Sequence, residues 1–474
     1  MNQLPIIPYP ESCEIAEGLL DCSEGFAVSL GKGLEAMSDI ALTLFPYGRT
    51  VLSISVDEKL DCCYSIECRA DGVCILVREA SSCCPALLCL YQAYEGLDGK
   101  LPLFSIKDNP RYEYRGFMLD CCRHFFAVPF IKKILFFMSL YRMNFFHWHL
   151  SDDQAIRFAV PGLELEKASS RLETAFSNPE PFYYQGIYSE SDLREVVNYA
   201  AMLGITVIPE IETPGHASAL LSVYPELGCR KLGYKVQDGY GIFSEVLCPG
   251  KEKVFEVLDR IIGYLASIFP GPYIHLGGDE CPTDEWQKCP DCQAVMKKES
   301  LESLEELQGY FSMRVTQIAR RYGKRACGWN EVLYRQGPYD LDPSTLVYCW
   351  QGREALQHKK PNELVLCPNT EGLYLDYKNG PSADEPGNLG VSMLSEIYNF
   401  DGGDEQCIKG IQANLWTEVV LFPRWAEYMI WPRLAAVAES AWTKKKDLGL
   451  FMERLGLHRK LLDSYQINYC RTIC

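Results

Sequence analysis

The sequence predicts an α/β protein, a closed (β/α)8 TIM barrel preceded by a small α/β domain, and three observations predict it. The chain has 474 residues, too many for one average domain but enough for a barrel with a smaller partner. From Arg115 onward, eight short apolar runs are separated by longer stretches, several with helical periodicity, and eight strands close such a barrel. Acidic and indole residues recur just past the ends of these runs, where barrel chemistry resides.

Taken in order, residues 1–109 form the expected N-terminal domain and residues 110–474 the barrel. Within the first unit, YSIECRADGVCILVRE alternates as a hairpin does, with Ala70-Asp71-Gly72 as its turn. A helical stretch surrounds Leu87 to Tyr94, and LPLFSIKDNPRYEYRG closes the unit with Pro110 as the boundary marker. The eight barrel strands are RGFMLD, NFFHWHL, TVIPEI, YIHLGG, RACGWN, TLVYCW, ELVLCP and GIQANLW. Between them, DLREVVNYAAML places Leu193, Val196, Val197, Ala200 and Leu203 on one helical face behind the cap Ser189. KVFEVLDRIIGYLASIF does the same with Val254, Val257, Leu258, Ile261 and Leu265.

Composition narrows the function. Hydrophobic residues at 47% and charged residues at 23% are ordinary for a globular protein, and a formal charge of -17 disfavours nucleic acid and anionic membranes as partners. No stretch approaches the ~18 apolar residues of a membrane span, and the N-terminus lacks a basic start and an apolar core. The 22 cysteines include three adjacent pairs and several, such as Cys74, Cys327 and Cys349, inside apolar runs, where a reduced thiol acts as a small hydrophobe. A cytoplasmic location is therefore expected, or a secreted or periplasmic one if a leader has been trimmed. Cys281, Cys289 and Cys292 form C-x7-C-x2-C, a spacing at which thiolates can bind zinc, but no fourth ligand is evident. No metal or cofactor is expected.

The stretch HLGGDECP, residues 275–282, sets two acids side by side after two glycines. Paired glycosidase carboxylates ordinarily stand roughly 5 to 9.5 Å apart across the scissile bond, which chain neighbours rarely achieve. The adjacency makes sense if Glu280 alone faces the leaving group and Asp279 holds a substrate amide. A 2-acetamido sugar carries its own nucleophile, the amide oxygen, and such intramolecular attack reaches effective molarities of about 10⁵ to 10⁸ M. Asp120, Asp152, Asp153, Glu210, Glu212, His216, Trp329, Trp350, Trp416 and Glu418 also follow strand ends, a set suited to a sugar pocket.

The motifs YRGFMLDCCRHFF, NFFHWHLSDDQ, PEIETPGH, HLGGDE, GWNEV, YLD and LWTE, in that order, resemble glycoside hydrolase family 20, the β-N-acetylhexosaminidases. The resemblance implies a retaining exo-enzyme acting on terminal GlcNAc or GalNAc of an oligosaccharide or glycoconjugate through an oxazolinium intermediate. It makes Glu280 the acid/base and Asp279 the acetamido-orienting group. It further implies that Arg115 and Glu418 bind the outer sugar hydroxyls and that Asp152 and His216 support the acids. Trp329, Trp350 and Trp416 then wall the pocket, Tyr374 donates to the acetamido oxygen, and Asp376 binds a hydroxyl. The chain departs from the family at Ala155-Ile156, where a bulky aromatic is common, and at Cys121 and Cys122.

Three other readings stand beside this one. A lacto-N-biosidase-like member would release a disaccharide, and a silent glycan-binding protein would bind without turnover. A metal-dependent barrel hydrolase would use His147 and His149 with further imidazoles, of which only His124, His216, His275, His358 and His458 remain.

Overall fold

The computed structural model describes residues 3–173, 182–230, 233–334, 337–357, 362–381, 385 and 387–473. Its N-terminal unit is a six-stranded mixed sheet: β1 (Ser12–Asp21), β2 (Phe26–Leu30), β3 (Thr50–Val56), β4 (Tyr64–Arg69), β5 (Gly72–Val77) and β6 (Lys100–Asp108), in the order β1-β6-β4-β5-β3-β2. In β5, Val73, Ile75 and Val77 are buried while the alternate residues are half-buried, so one face packs inward. The helix Cys83–Gly96, longer at both ends than the expected core, packs against β4, β5 and β6. The β4–β5 hairpin turns at Ala70-Asp71, with Arg69 opposite Gly72. Gly72 has φ of 151°, and a Cβ there would lie 2.6 Å from the Val51 carbonyl oxygen, so only glycine fits.

Eight parallel strands then close into a barrel: β7 (Tyr114–Asp120), β8 (Phe145–His149), β9 (Thr206–Thr213), β10 (Tyr273–Gly277), β11 (Arg325–Trp329), β12 (Leu346–Cys349), β13 (Leu364–Leu366) and β14 (Ile408–Leu415). Each corresponds to one of the eight runs read from the sequence. The helix Glu190–Met202 begins two residues before the expected stretch because Ser189 caps it. Ser189 Oγ accepts from the Asp192 amide, and the Asp192 carboxylate accepts from the Ser189 amide. The helix Glu252–Ile268 buries Val254, Val257, Leu258, Ile261 and Leu265 against its neighbours. Among the described residues, no helix is long and apolar enough to cross a membrane.

Inside the barrel, aromatic rings fill one layer. Tyr114 stacks on Phe145 with ring centroids 4.2 Å apart, and its hydroxyl donates to Gln412 and accepts from Tyr348. Sheet and barrel meet around a buried ion pair: Arg142 Nη1 lies 2.6 Å from Asp108 Oδ2, and Trp442 Nε1 donates to the other carboxylate oxygen at 2.9 Å. Tyr64 also donates to Asp108. With β6 and the segment after the first barrel helix joined in this way, the two units share one hydrophobic core.

Candidate active site

The strand ends deliver their polar residues to one side of the barrel, and Glu210 on β9 is fully buried among them. Its Oε2 lies 2.6 Å from His149 Nδ1 and 3.0 Å from His147 Nε2, and its Oε1 lies 2.6 Å from His275 Nδ1. Trp329 Nε1 donates to Oε1 at 2.9 Å. Burial opposes the charge on Glu210, but His275, His147 and His149 hold its carboxyl well below the usual range. His147 is neutral, because burial brings it down to about 4, and its Nδ1 meets the Gln412 amide nitrogen at 3.2 Å. Burial also opposes charge on His149, yet Glu210 and Asp152, each facing one ring nitrogen, push it up to about 10.

Asp152 carries this chain outward. Burial would raise its pKa, but Arg123, whose Nη1 lies 3.0 Å away, together with His216 and His149 holds it well below the carboxylate range. His216 Nδ1 sits 3.0 Å from Asp153 and 3.4 Å from Asp152. The far ring nitrogen, Nε2, faces the two adjacent acids, 3.7 Å from Asp279 and 3.5 Å from Glu280. Burial works against charge on His216, but Asp152 and its other acidic neighbours keep it protonated well above the ordinary histidine range.

The glycines of HLGGDE have a steric reason. Gly277 and Gly278 take φ of 70° and 104°; a Cβ on the first would fall 2.0 Å from Glu212 Oε2 and one on the second 2.6 Å from a Val332 methyl. Glu280 follows with φ of 42°, and His216 has φ of 49°, left-handed conformations that side chains other than glycine rarely take. The turn separates the two acids: the Asp279 side chain is 10% exposed and that of Glu280 35%. Burial raises the pKa of Asp279. Behind it, burial and the charges of Asp279 and Glu210 push Glu212 well above its ordinary range.

A cavity of about 190 Å³ opens above these groups. Asp152, His216, Asp279, Glu280, Trp329, Trp350, Tyr374, Asp376, Trp416 and Glu418 all line it. Trp329 and Trp416 pack with centroids 5.8 Å apart, and Trp350 is oriented by Glu331, which accepts from its Nε1 at 3.1 Å. Asp279 Oδ1, Asp376 Oδ1 and Glu418 Oε2 are buried with no hydrogen-bond partner among the described residues. Such atoms are costly unless a ligand satisfies them. Asn369, Tyr377 and Asn388, which sequence reasoning missed, complete the wall.

Arg115 is a correction. It is the second residue of β7 and lies at the opposite end of the barrel, about 16 Å of strand before Asp120. There its guanidinium donates to the carbonyls of Tyr112, Glu113 and Arg142 and covers the Trp442 ring. The arginine at the mouth is Arg123, past the C-terminal end of the same strand, stacked 5.1 Å from the Trp416 ring centroid. The signal was present, since strand direction alone separates the two arginines of YRGFMLDCCRHFF. Ala155 and Ile156 are buried rather than set in the cavity wall. His147, His149 and His275 are buried below the cavity and do not line it. His358 lies outside the described residues. Cys281 stands apart from Cys289 and Cys292, which are joined instead by Cys229 and Cys248.

Residues 112–445 match the family model for the glycosyl hydrolase family 20 catalytic domain. A β-hexosaminidase of Porphyromonas gingivalis is 38% identical over 383 residues, covering 78% of this chain and 48% of that protein. One from Akkermansia muciniphila is 33% identical over 376 residues, covering 76% of this chain and 75% of the other. The chain thus spans about half the length of the first relative. Among solved structures, an exo-β-N-acetylglucosaminidase from Vibrio harveyi, in complex with N-acetylglucosamine, superposes with a TM-score of 0.86 at 29% identity over 98% of this chain and 78% of that one. A β-N-acetylhexosaminidase from Bacteroides fragilis gives 0.84 at 26% over 98% and 96%.

The wall residue Asp376 generates a pH prediction. Burial, then the charge of Glu418, pushes its pKa up to about 8 from an unfolded value near 3.8. Between these values the unfolded chain has lost a proton that the folded protein keeps, so this group's contribution to stability falls as pH rises from about 4 to 8. Asp376→Asn should flatten that part of the profile, by up to about 1.4 kcal/mol per pH unit relative to the parent. Thermal unfolding of both proteins across this range checks it, and parallel profiles would refute it.

Proposed function

The chain belongs to glycosyl hydrolase family 20, and from that premise we propose that it is a retaining exo-β-N-acetylhexosaminidase acting on terminal GlcNAc or GalNAc by substrate-assisted catalysis. The observation that carries the proposal is the division of labour between two chain neighbours: Asp279 is buried with an unpartnered oxygen, and Glu280 is open to the mouth.

In this mechanism the acetamido oxygen of the bound sugar attacks the anomeric carbon from the face opposite the leaving group. Glu280 gives its proton to the glycosidic oxygen as that bond breaks. Asp279 accepts the acetamido N–H and stabilises the positive oxazolinium ring that forms. The Glu280 carboxylate then removes a proton from a water molecule that attacks the same carbon, reopening the ring with net retention. His216, fixed by Asp152 and Asp153, sets the positions of both acids. Tyr374 donates to the acetamido oxygen, and Trp329, Trp350 and Trp416 enclose the acetamido group and the sugar face. Arg123, Asp376 and Glu418 bind the hydroxyls remote from the scissile bond, the role expected for Arg115 passing to Arg123. A cytoplasmic setting is the one we favour, because the cysteines include adjacent pairs and strand-embedded thiols.

Three measurements test the reading. Glu280→Gln should lower kcat/KM on natural glycosides by about 10² to 10⁴, with a smaller loss on aryl glycosides whose leaving group needs little protonation. Equal losses on both would remove Glu280 from the acid role. A thiazoline analogue of the bicyclic intermediate should bind at least about 10²-fold more tightly than N-acetylglucosamine, and Asp279→Asn should reduce that margin; a glycosyl ester trapped on a carboxylate would overturn the mechanism.

Chain-end action is the third outcome. An extra sugar beyond Arg123 and Glu418 would leave buried polar groups unpaired at a cost of roughly 1 to 3 kcal/mol, or about tenfold discrimination and more. Chitooligosaccharides should therefore yield monosaccharide stepwise, and chains capped at the non-reducing end should survive. Early disaccharide would point instead to a lacto-N-biosidase-like enzyme, and binding without any product to a silent glycan-binding protein.

A further inference from the structure

Behind the turn that carries Asp279 and Glu280, four cysteines converge from two separate loops. Cys229 and Cys248 belong to the long connection after β9, whereas Cys289 and Cys292 open the helix Pro290–Glu299 in the connection after β10. The Sγ atoms of Cys229 and Cys292 are 3.7 Å apart, those of Cys248 and Cys289 3.7 Å, and those of Cys248 and Cys292 3.5 Å. All four sulfurs lie within 4.8 Å of one another. Cys248, Cys289 and Cys292 are buried and Cys229 is half-buried.

These spacings suit a metal better than a disulfide or a greasy contact. A tetrahedron of thiolates at the Zn–S distance of about 2.3 Å has edges of about 3.8 Å, whereas a disulfide needs about 2.05 Å. With three of the six separations near that edge length and all of them within 4.8 Å, the four sulfurs form a centre rather than two pairs. Cys327 and Cys349, by contrast, lie inside barrel strands as small buried hydrophobes. The spacing C-x2-C at a helix start, with two more cysteines returning from a distant loop, supplies a closed donor set with no position left for water, the pattern of a structural zinc. Backbone around the cluster is already fixed. The Cys248 amide donates to Leu227, Trp286 Nε1 donates to the Leu247 carbonyl at 2.9 Å, and Arg230 bridges Glu245 and Glu285.

We propose that Cys229, Cys248, Cys289 and Cys292 bind one structural Zn²⁺ that staples the loop after β9 to the helix following the catalytic turn. On binding, each thiol releases its proton to solvent as a Zn–S bond forms, and no group changes oxidation state. The staple has a consequence for the mouth. The loop held by Cys229 and Cys248 also supplies the Gln237 amide, which donates to the Asp153 carbonyl, and the Gly239 carbonyl, which accepts from Gln154. The zinc therefore anchors the rim beside His216 without touching substrate.

The test uses the full chain, purified under reducing conditions and reconstituted with zinc chloride. Elemental analysis should find one zinc per chain, and cobalt(II) introduced in its place should show the visible bands of a tetrahedral thiolate site. Cys229→Ser, the least buried ligand, and Cys292→Ser should each lose the metal and lower Tm, whereas Cys281→Ser should retain it. If a serine variant fails to fold, the thiols of the parent protein still decide: the four should resist alkylation until a chelator is added. No zinc after reconstitution, iron in its place, a disulfide among the four by mass spectrometry, or loss of metal in Cys281→Ser would each overturn the proposal.

Discussion

The Glu210 carboxylate is the interaction on which the site depends. A lone ionised acid inside a barrel would be too costly to keep, and here the cost is offset by three imidazoles and an indole arriving from β8, β10 and β11. One side chain thereby joins four consecutive strands beneath the mouth. It also sets the proton inventory above it. Glu210 and Asp152 together keep His149 charged, and Asp152, with Asp153, does the same for His216, which reaches the two acids of the turn. Positive and negative groups alternate from the barrel interior to the cavity floor, so the charge of each is defined by the one below it. Because the chain of contacts is buried, salt and solvent screen it little.

The legible part of this design was the part written locally. Parallel barrel strands are covered on both faces and read as nearly continuous apolar runs, which is why all eight could be found. HLGGDE was legible because two glycines and two acids in one turn have few bland explanations. What stayed hidden depends on which way a residue is carried and on contacts made across distant sequence. Arg115 and Arg123 are eight residues apart in one motif, yet strand β7 carries the first to one end of the barrel and the second to the other. The cysteine grouping failed for the second reason: Cys281 is close in sequence to Cys289 and Cys292, but the turn at Glu280 leads it away, and the partners come from 41 and more residues upstream. Glu210 was visible only as an acid after strand three; its convergence with three histidines is a property of the closed barrel.

The left-handed backbone at His216 and Glu280 has an evolutionary corollary. A non-glycine residue held there costs on the order of 1 to 3 kcal/mol, and glycine would relieve most of it. Selection for foldability alone would therefore erode these two cavity-lining positions, because the mutations that remove their side chains also ease the chain. A lineage released from its substrate should lose these two positions early and keep the barrel intact. Side chains at both sites therefore trade backbone ease for a place in the cavity wall.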